Sequence, residues 1–206
     1  MVTKMMKITY PVHTGLYLNL TNRCPCACNF CIRQKDEKFY VGDSLWLDHE
    51  PDSEEVIEAL KAEDLDKYNE FVFCGFGEPT EALDLLLQTA KFLKDKKPDT
   101  PVRINTNGLG NLINKKDITP LFEGIIDAVS ISLNSSYAEV YEKNVNPIFK
   151  EKAHPAVIDF AREVKKYVPN VTMTIVSTTI THEDEEKCRN MCEQLGVKYK
   201  IRQIID

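Results

Sequence analysis

The stretch Gly15 to Cys31, GLYLNLTNRCPCACNFC, runs a short β-rich segment directly into a loop that holds four of the chain's seven cysteines. A strand that delivers a ligand-bearing loop at its carboxyl end is how a parallel α/β unit presents a site, so this stretch decides how the rest is read. Within the loop, Cys24, Cys28 and Cys31 form a C-x3-C-x2-C set, and Pro25 stiffens the chain beside the first of them. Soft thiolates on so short a loop favour an iron–sulfur cluster or zinc. Three ligands around a cubane leave one iron uncovered, and an open coordination position is what separates a catalytic metal site from a closed structural one. Zinc is the competing occupant. Cys26 would complete a tight C-x-C-x-C pattern for it, but the second knuckle or histidines that a zinc site usually brings are missing.

Working outward, a strand-then-helix rhythm recurs. DSEEVIEALK reads as a helix capped near Ser53, with Val56, Ile57 and Leu60 on one face. EFVFCGF, Glu70 to Phe76, is an apolar run of the kind buried on both faces, and EALDLLLQTAKFLKDKK follows as a long amphipathic helix with lysines in its last turn. PVRINTNG, Pro101 to Gly108, pairs with a helix around KKDITPLFEGI, and DAVSISLN, Asp127 to Asn134, is the fourth strand. HPAVIDFAREVKKYV then reads as helix, VTMTIVSTT as strand, HEDEEKCRNMCEQLG as a helix ending at Gly196, and VKYKIRQII as the last strand. Six strands alternating with five helices predict an α/β fold with a parallel sheet. Such a sheet either rolls toward a barrel or lies open and doubly wound, and in both forms the site lies at the carboxyl ends of the strands.

Composition narrows the function. The 206 residues are 43% hydrophobic, enough for one well-buried domain spanning 1–206. Net charge is −6, and no dense Lys/Arg run makes a stripe for a nucleic-acid backbone, so no nucleic-acid partner is expected. MVTKMMKITYPVHTG lacks a signal-peptide core, and no apolar run approaches the roughly 18 residues that span a bilayer, so the expectation is a cytoplasmic protein away from the membrane. In that reducing compartment, clustered cysteines bind metal or do chemistry rather than form disulfides.

With the loop and its context in place, the chain resembles the radical S-adenosylmethionine (radical SAM) superfamily over its whole length. The motifs that carry the resemblance are the C-x3-C-x2-C loop with aromatic Phe30 before its last cysteine, CGFGEPT at Cys74 to Thr80, NTNG ending the third strand and SISLN ending the fourth. LYLNLTNRCPCACNFCIR together with FCGFGEPT and LWL is similar to the small subfamily linked with TatD-type hydrolases. The resemblance implies a partial (βα)6 TIM-type barrel of parallel strands in which Cys24, Cys28 and Cys31 hold a 4Fe-4S cluster. S-adenosylmethionine would chelate the uncovered iron, and one electron, supplied by a donor such as flavodoxin or ferredoxin, would cleave it to methionine and a 5′-deoxyadenosyl radical that abstracts hydrogen from a substrate.

The same resemblance assigns the shell around that cofactor. Phe30 matches the aromatic position near adenine. Gly75, Phe76, Gly77 and Glu78 match the Gly-Gly-Glu motif that meets the methionine amino group, with Phe76 where a second glycine often stands. A glycine there is expected to let the backbone approach the ligand. Ser132 and Asn134 suit ribose hydroxyls and a carboxylate. Asn107 belongs to the same shell, and Ser177 and Thr178, at the end of the fifth strand, fall where adenine contacts are presented. A Gly-x-Gly turn or a TNG turn is routine in any parallel sheet, and the weight lies in their order along successive strand ends. Six strands without appended domains leave the barrel side open, which predicts a large substrate, such as a peptide or protein, or a partner that completes the wall. The competing function is a non-catalytic metal-binding module holding zinc or an iron–sulfur cluster.

Other residues read as structural. Cys188 and Cys192, four apart on a helix, and Cys74 in a strand are expected in the core, and Cys26 is expected to be a small loop residue. His13, His49, His154 and His182 read as caps or solvated loop residues. Arg33, Arg103 and Arg202 are candidates for an anionic group on the substrate, Arg33 first because it follows the cysteine loop. Gln34 to Leu47, with Phe39, Tyr40 and Trp46, reads as a loop over the barrel mouth.

Overall fold

The computed structural model describes residues 6–34 and 44–203. Phe39 and Tyr40 of the proposed mouth loop lie outside the described residues. One seven-stranded sheet runs in chain order, β1 (Thr9–Val12), β2 (Gly15–Leu18), β3 (Glu70–Phe73), β4 (Val102–Thr106), β5 (Ala128–Ser132), β6 (Asn170–Val176) and β7 (Lys198–Arg202). Strands β2 to β7 pair parallel, and β1 is antiparallel to β2. Among the described residues the sheet does not close: β1 and β7 are its two edges. The parallel α/β architecture is therefore as the sequence reads, as a partial barrel.

Helices α1 (Ser53–Lys61), α2 (Leu83–Lys96), α3 (Gly110–Asn114), α4 (Ala138–Val145), α5 (Ala153–Val164) and α6 (His182–Leu195) cover one face of the sheet. Period-two alternation sorts the strand residues. Leu16, Leu18, Phe71, Phe73, Val102, Ile104, Val129, Ile131, Met173 and Ile175 join Val56, Leu60, Leu86, Leu93, Val157 and Phe160 in the main core. The register then puts Tyr17, Val72 and Arg103 in one row on the opposite, concave face, and Asn105, Ser130, Thr172 and Lys198 in the next. A small second cluster of Tyr10, Tyr17, Leu45, Trp46 and Phe76 covers the β1–β2 end of that face.

Local chemistry explains most boundaries. Asp52, not Ser53, is the N-cap of α1, in a reciprocal capping box with Glu55. Thr181 caps α6, whose first turn carries Glu183, Asp184 and Glu185, and Gly196 ends it at φ 67. Three expectations are corrected. The helix expected around KKDITPLFEGI is instead the Lys115 cap that follows α3 and then a 3-10 turn at Thr119–Phe122. Asp117 Oδ1 accepts from Thr119 N at 3.0 Å and starts a new turn there, and Gly124, at φ 75, follows it. Strand β1 was missed because Pro11 interrupts its pattern and His13, at φ 52, makes the turn without a Gly or Asn; an edge strand tolerates that proline. Helix α4 was missed as well, being short and preceded by no side-chain cap.

Candidate functional site

The cysteine loop leaves β2 and crosses the carboxyl ends of the strands, tied down on two sides. On one, Glu50 accepts from Thr21 Oγ1 at 2.9 Å, Asn22 N at 3.1 Å and Arg23 Nε at 3.2 Å, while Asn22 exchanges hydrogen bonds with the Leu47 backbone. On the other, the loop is sewn to the end of α4. Ala27 N donates to Val145 O and Asn146 O at 3.1 and 3.3 Å, Asn29 N donates to Asn144 O at 2.9 Å, and Ile148 N donates to Pro25 O at 2.9 Å. Asn146 turns left-handed at φ 44 to end the helix there. These bonds give the loop backbone partners that no short loop could supply for itself.

No disulfide links the seven cysteines. Cys26 sits between Cys24 and Cys28 and hydrogen-bonds with both. Those contacts hold the Cys26 proton firmly and, against burial, draw Cys24 and Cys28 below the ordinary thiol range. Burial pushes Cys31 up, and it lies within electrostatic reach of Cys28 and Cys24. Among the described residues, no three His, Cys, Asp or Glu side chains stand gathered as a finished cage. Cys26 is thus more than a bland loop residue: it is packed among the thiols the motif singles out. Asn107 also reaches them, with Nδ2 at 3.7 Å from Cys26 Sγ and 4.0 Å from Cys24 Sγ.

The Gly75–Glu78 turn follows β3, and the chain itself supplies a physical reason for its glycines. A Cβ on Gly75 would sit 1.9 Å from Asn19 Oδ1, and one on Gly77 would sit 2.1 Å from Thr21 O. The glycines let this turn approach the chain's own β2 exit, which sets the height of the cysteine loop. Phe76 turns into the second cluster, edge-on to Trp46 at 5.2 Å between centroids, so its side chain serves packing. Glu78 is buried and accepts from Thr80 N, Thr80 Oγ1, Thr106 Oγ1 and Asn107 N at 3.2, 2.8, 2.7 and 2.7 Å. Burial pushes its carboxyl above the usual range while the four donors oppose that. It ties the end of β3 to the end of β4.

Beyond β5, Asn134 takes a left-handed φ of 61 and is 3% exposed, and its Oδ1 has no hydrogen-bond partner. Ser132 stands two residues earlier, with Arg202 Nη2 at 3.5 Å from its Oγ. Strand β6 ends at Val176, so Ser177 and Thr178 lie in the turn after it; Ser177 N donates to Arg202 O at 2.8 Å, and Thr178 is exposed at φ 66. Phe30 packs against the main core. The strand ends thus bring together Cys24, Cys26, Cys28, Gly75, Gly77, Glu78 and Asn107.

Several side expectations change. Cys188 and Cys192 are fully buried in the core, as read, but Cys74 lies outside that core, with Tyr10 Oη donating to its carbonyl at 2.9 Å. His154 is buried, with Nε2 3.0 Å from Ser135 O, and is no solvated residue. Arg33 stacks over Trp46 at 4.7 Å. Arg103 is held by Glu70 at 2.9 and 3.1 Å and by Asn105 at 2.6 Å, which commits it to the floor of the concave face. Two residues escaped the sequence reading: Asn19, whose Nδ2 donates to Leu45 O at 2.6 Å, and Tyr141, a buried hydroxyl without a partner. Tyr141 and Val145, four apart, carried a faint signal of a helix face.

Solved structures share this fold. SuiB from Streptococcus suis bound to S-adenosylmethionine aligns with a TM-score of 0.66 at 15% identity, covering 94% of this chain and 41% of that one. A radical SAM methyltransferase from Sphaerobacter thermophilus aligns at 0.66 with 13% identity over 94% of this chain and 67% of that one. The anSMEcpe enzyme with bound AdoMet aligns at 0.65 with 19% identity over 92% and 51%. The chain spans about two fifths of the length of SuiB. No curated protein matches the sequence. The radical SAM superfamily model matches residues 18–195, from the end of β2 to the end of α6, and the chain belongs to that superfamily.

Proposed function

We propose that this chain is a radical SAM enzyme, residues 1–206 forming a single core domain, which uses a 4Fe-4S cluster and S-adenosylmethionine to start radical chemistry on a peptide or protein. The observation that carries the reading is the pairing of clustered thiols with a buried, unpartnered acceptor: Cys24 and Cys28 beside Cys26, and Asn134 Oδ1, among the strand ends. Sulfur donors in that state suit iron, and an orphaned buried carbonyl suits a ribose hydroxyl. With both groups bound, the site would supply one-electron radical chemistry, with Cys24, Cys28 and Cys31 holding the cluster.

The chain's own residues do the holding. Cys24, Cys28 and Cys31 are the cluster ligands, and Cys26 keeps its proton beside them. Backbone carbonyls of Gly75 to Glu78 receive the methionine amino group, because the Glu78 side chain is fully used inward. Asn134 and Ser132 would hold the ribose, and Asn107, already at the sulfurs, would stand beside them. Phe30, Ser177 and Thr178 line the adenine side. The polar concave face, with Asn105, Ser130 and Thr172, is left for the substrate, and β7 leaves its edge open. Two similar structures hold peptides, SuiB its precursor peptide SuiA and anSMEcpe the Cp18Cys peptide, which supports a peptide here. The electron would come from a flavodoxin or ferredoxin. Among the described residues no helix is long and apolar enough to cross a membrane, in keeping with a cytoplasmic enzyme. The narrower kinship with the TatD-linked subfamily rests on the sequence words alone.

The test is anaerobic reconstitution with iron and sulfide, then reduction with dithionite in the presence of S-adenosylmethionine. We expect labile sulfide on the protein and release of 5′-deoxyadenosine. Cys24→Ala, Cys28→Ala and Cys31→Ala each lose the sulfide, whereas Cys26→Ala keeps it. About one zinc per chain without labile sulfide would establish the non-catalytic reading instead.

A further inference from the structure

Helix α4 buries a tyrosine whose hydroxyl has nothing to bond. Tyr141 is 1% exposed, and its Oη is a buried atom without a hydrogen-bond partner. Leaving such a group unpaired is destabilising, a cost that phenylalanine would avoid with the same ring contacts. The hydroxyl therefore calls for an acceptor in the working molecule.

Its surroundings narrow that acceptor. One turn along the helix, on the same buried face, Val145 O takes the Ala27 amide, and Asn144 O takes the Asn29 amide, so this part of α4 is the wall to which the cysteine loop is fastened. His154 lies against the ring at 5.3 Å between centroids, but its Nε2 is engaged with Ser135 O. Burial holds the phenol proton in place, and the ionisable groups that reinforce this are Cys26, Cys28, Cys24 and Glu78. Tyr141 is thus a neutral donor. The Glu78 carboxylate already accepts four hydrogen bonds. Cys26 and Cys28 pack against the same core cluster that holds Tyr141, so a sulfur held by the cysteine loop is the acceptor that the cluster reading would bring to this wall.

Resting on the cluster reading above, we propose that the Tyr141 hydroxyl donates a hydrogen bond to a sulfur of the bound cluster, a sulfide or a cysteine thiolate, and so acts as a positioning residue that sets its reduction potential. A hydrogen bond to sulfur stabilises the more negatively charged, reduced state, so it raises the potential; hydrogen bonds and burial around the sulfurs are the protein's main levers on that quantity.

The experiment compares reconstituted wild type with Tyr141→Phe, measuring iron and sulfide content and then the midpoint potential by a titration followed with electron paramagnetic resonance. The expected result is equal cluster content and an approximately tenfold shift of the one-electron equilibrium toward the oxidised state, which is about 59 mV downward. Placing 3-fluorotyrosine at position 141, whose more acidic hydroxyl donates more strongly, should move the potential upward. Should the phenylalanine variant fail to hold a cluster, the fluorotyrosine protein decides alone. An unchanged potential with full cluster content overturns this inference and spares the cluster reading; a wild type that carries no labile sulfide overturns both.

Discussion

Gly77 and Glu78 show how much of the site is set by contacts a few atoms wide. The Gly77 Cα lies where an added methyl would run into two backbone carbonyls of the cysteine loop, Thr21 O at 2.1 Å and Arg23 O at 2.8 Å. Backbone cannot swing aside as a flexible side chain can, so the whole turn would have to move. Its neighbour reinforces the seat: Glu78 N donates to Arg23 O at 2.8 Å. Gly77→Ala should therefore cost about 1–3 kcal/mol, as overpacking typically does, read as a lower urea midpoint with an unchanged slope. An unaltered midpoint would mean that the turn and the loop are not in contact. The sequence pointed to this glycine through a motif, but the reason it must be glycine, close approach of one loop to another, is a distance between segments more than 50 residues apart that no local pattern encodes.

Among the elements, α4 and α5 matter most, and their sequences are unequally legible. Helix α5 announced itself by a strong apolar face of Val157, Phe160, Ala161 and Val164. Helix α4 buries only Tyr141 and Val145 and is held by what it touches rather than by its own propensity. The contact between them includes His154, a residue of the first turn of α5, against Tyr141. Burial lowers the affinity of His154 for a proton, while Ser135 O and Asp184 oppose that. A group whose folded value is depressed binds more protons when unfolded, so its contribution is present above the ordinary histidine value of about 6.5 and is lost as pH falls below it. The wild type should accordingly lose more stability between pH 7.5 and 5.5 than His154→Gln, which keeps a donor for Ser135 O; urea denaturation at the two values measures it. Equal losses would remove His154 from the linkage.

For the whole molecule, the seven strands leave the sheet open between β1 and β7, and the chain spans about two fifths of SuiB. The cysteine loop bridges both ends of the fold, from Glu50 beyond β2 to the end of α4 beyond β5. A group bound to that loop in the folded state alone stabilises the entire domain by mass action, by about 2.7 kcal/mol at one hundred times the dissociation constant. At about 2–4 °C per kcal/mol for a domain of this size, reconstitution should raise Tm by about 5–10 °C, and removal of the cluster with a chelator should reverse it. Calorimetry under nitrogen reads this directly, and identical transitions would place the cluster off the loop.

The sequence by itself determined the parallel α/β order, the three motif cysteines and the succession of strand-end motifs, because hydrophobic period and ligand spacing are local properties of the chain. Only the tertiary structure decided the rest. It placed Cys26 among the thiols, turned Phe76 into packing, drew Glu78 inward onto Thr106 and Asn107, and buried the Tyr141 hydroxyl without a partner on the helix that fastens the cysteine loop. Each of those depends on which segments the crossovers bring side by side, and a distance between remote segments is created by folding, not written in any one of them.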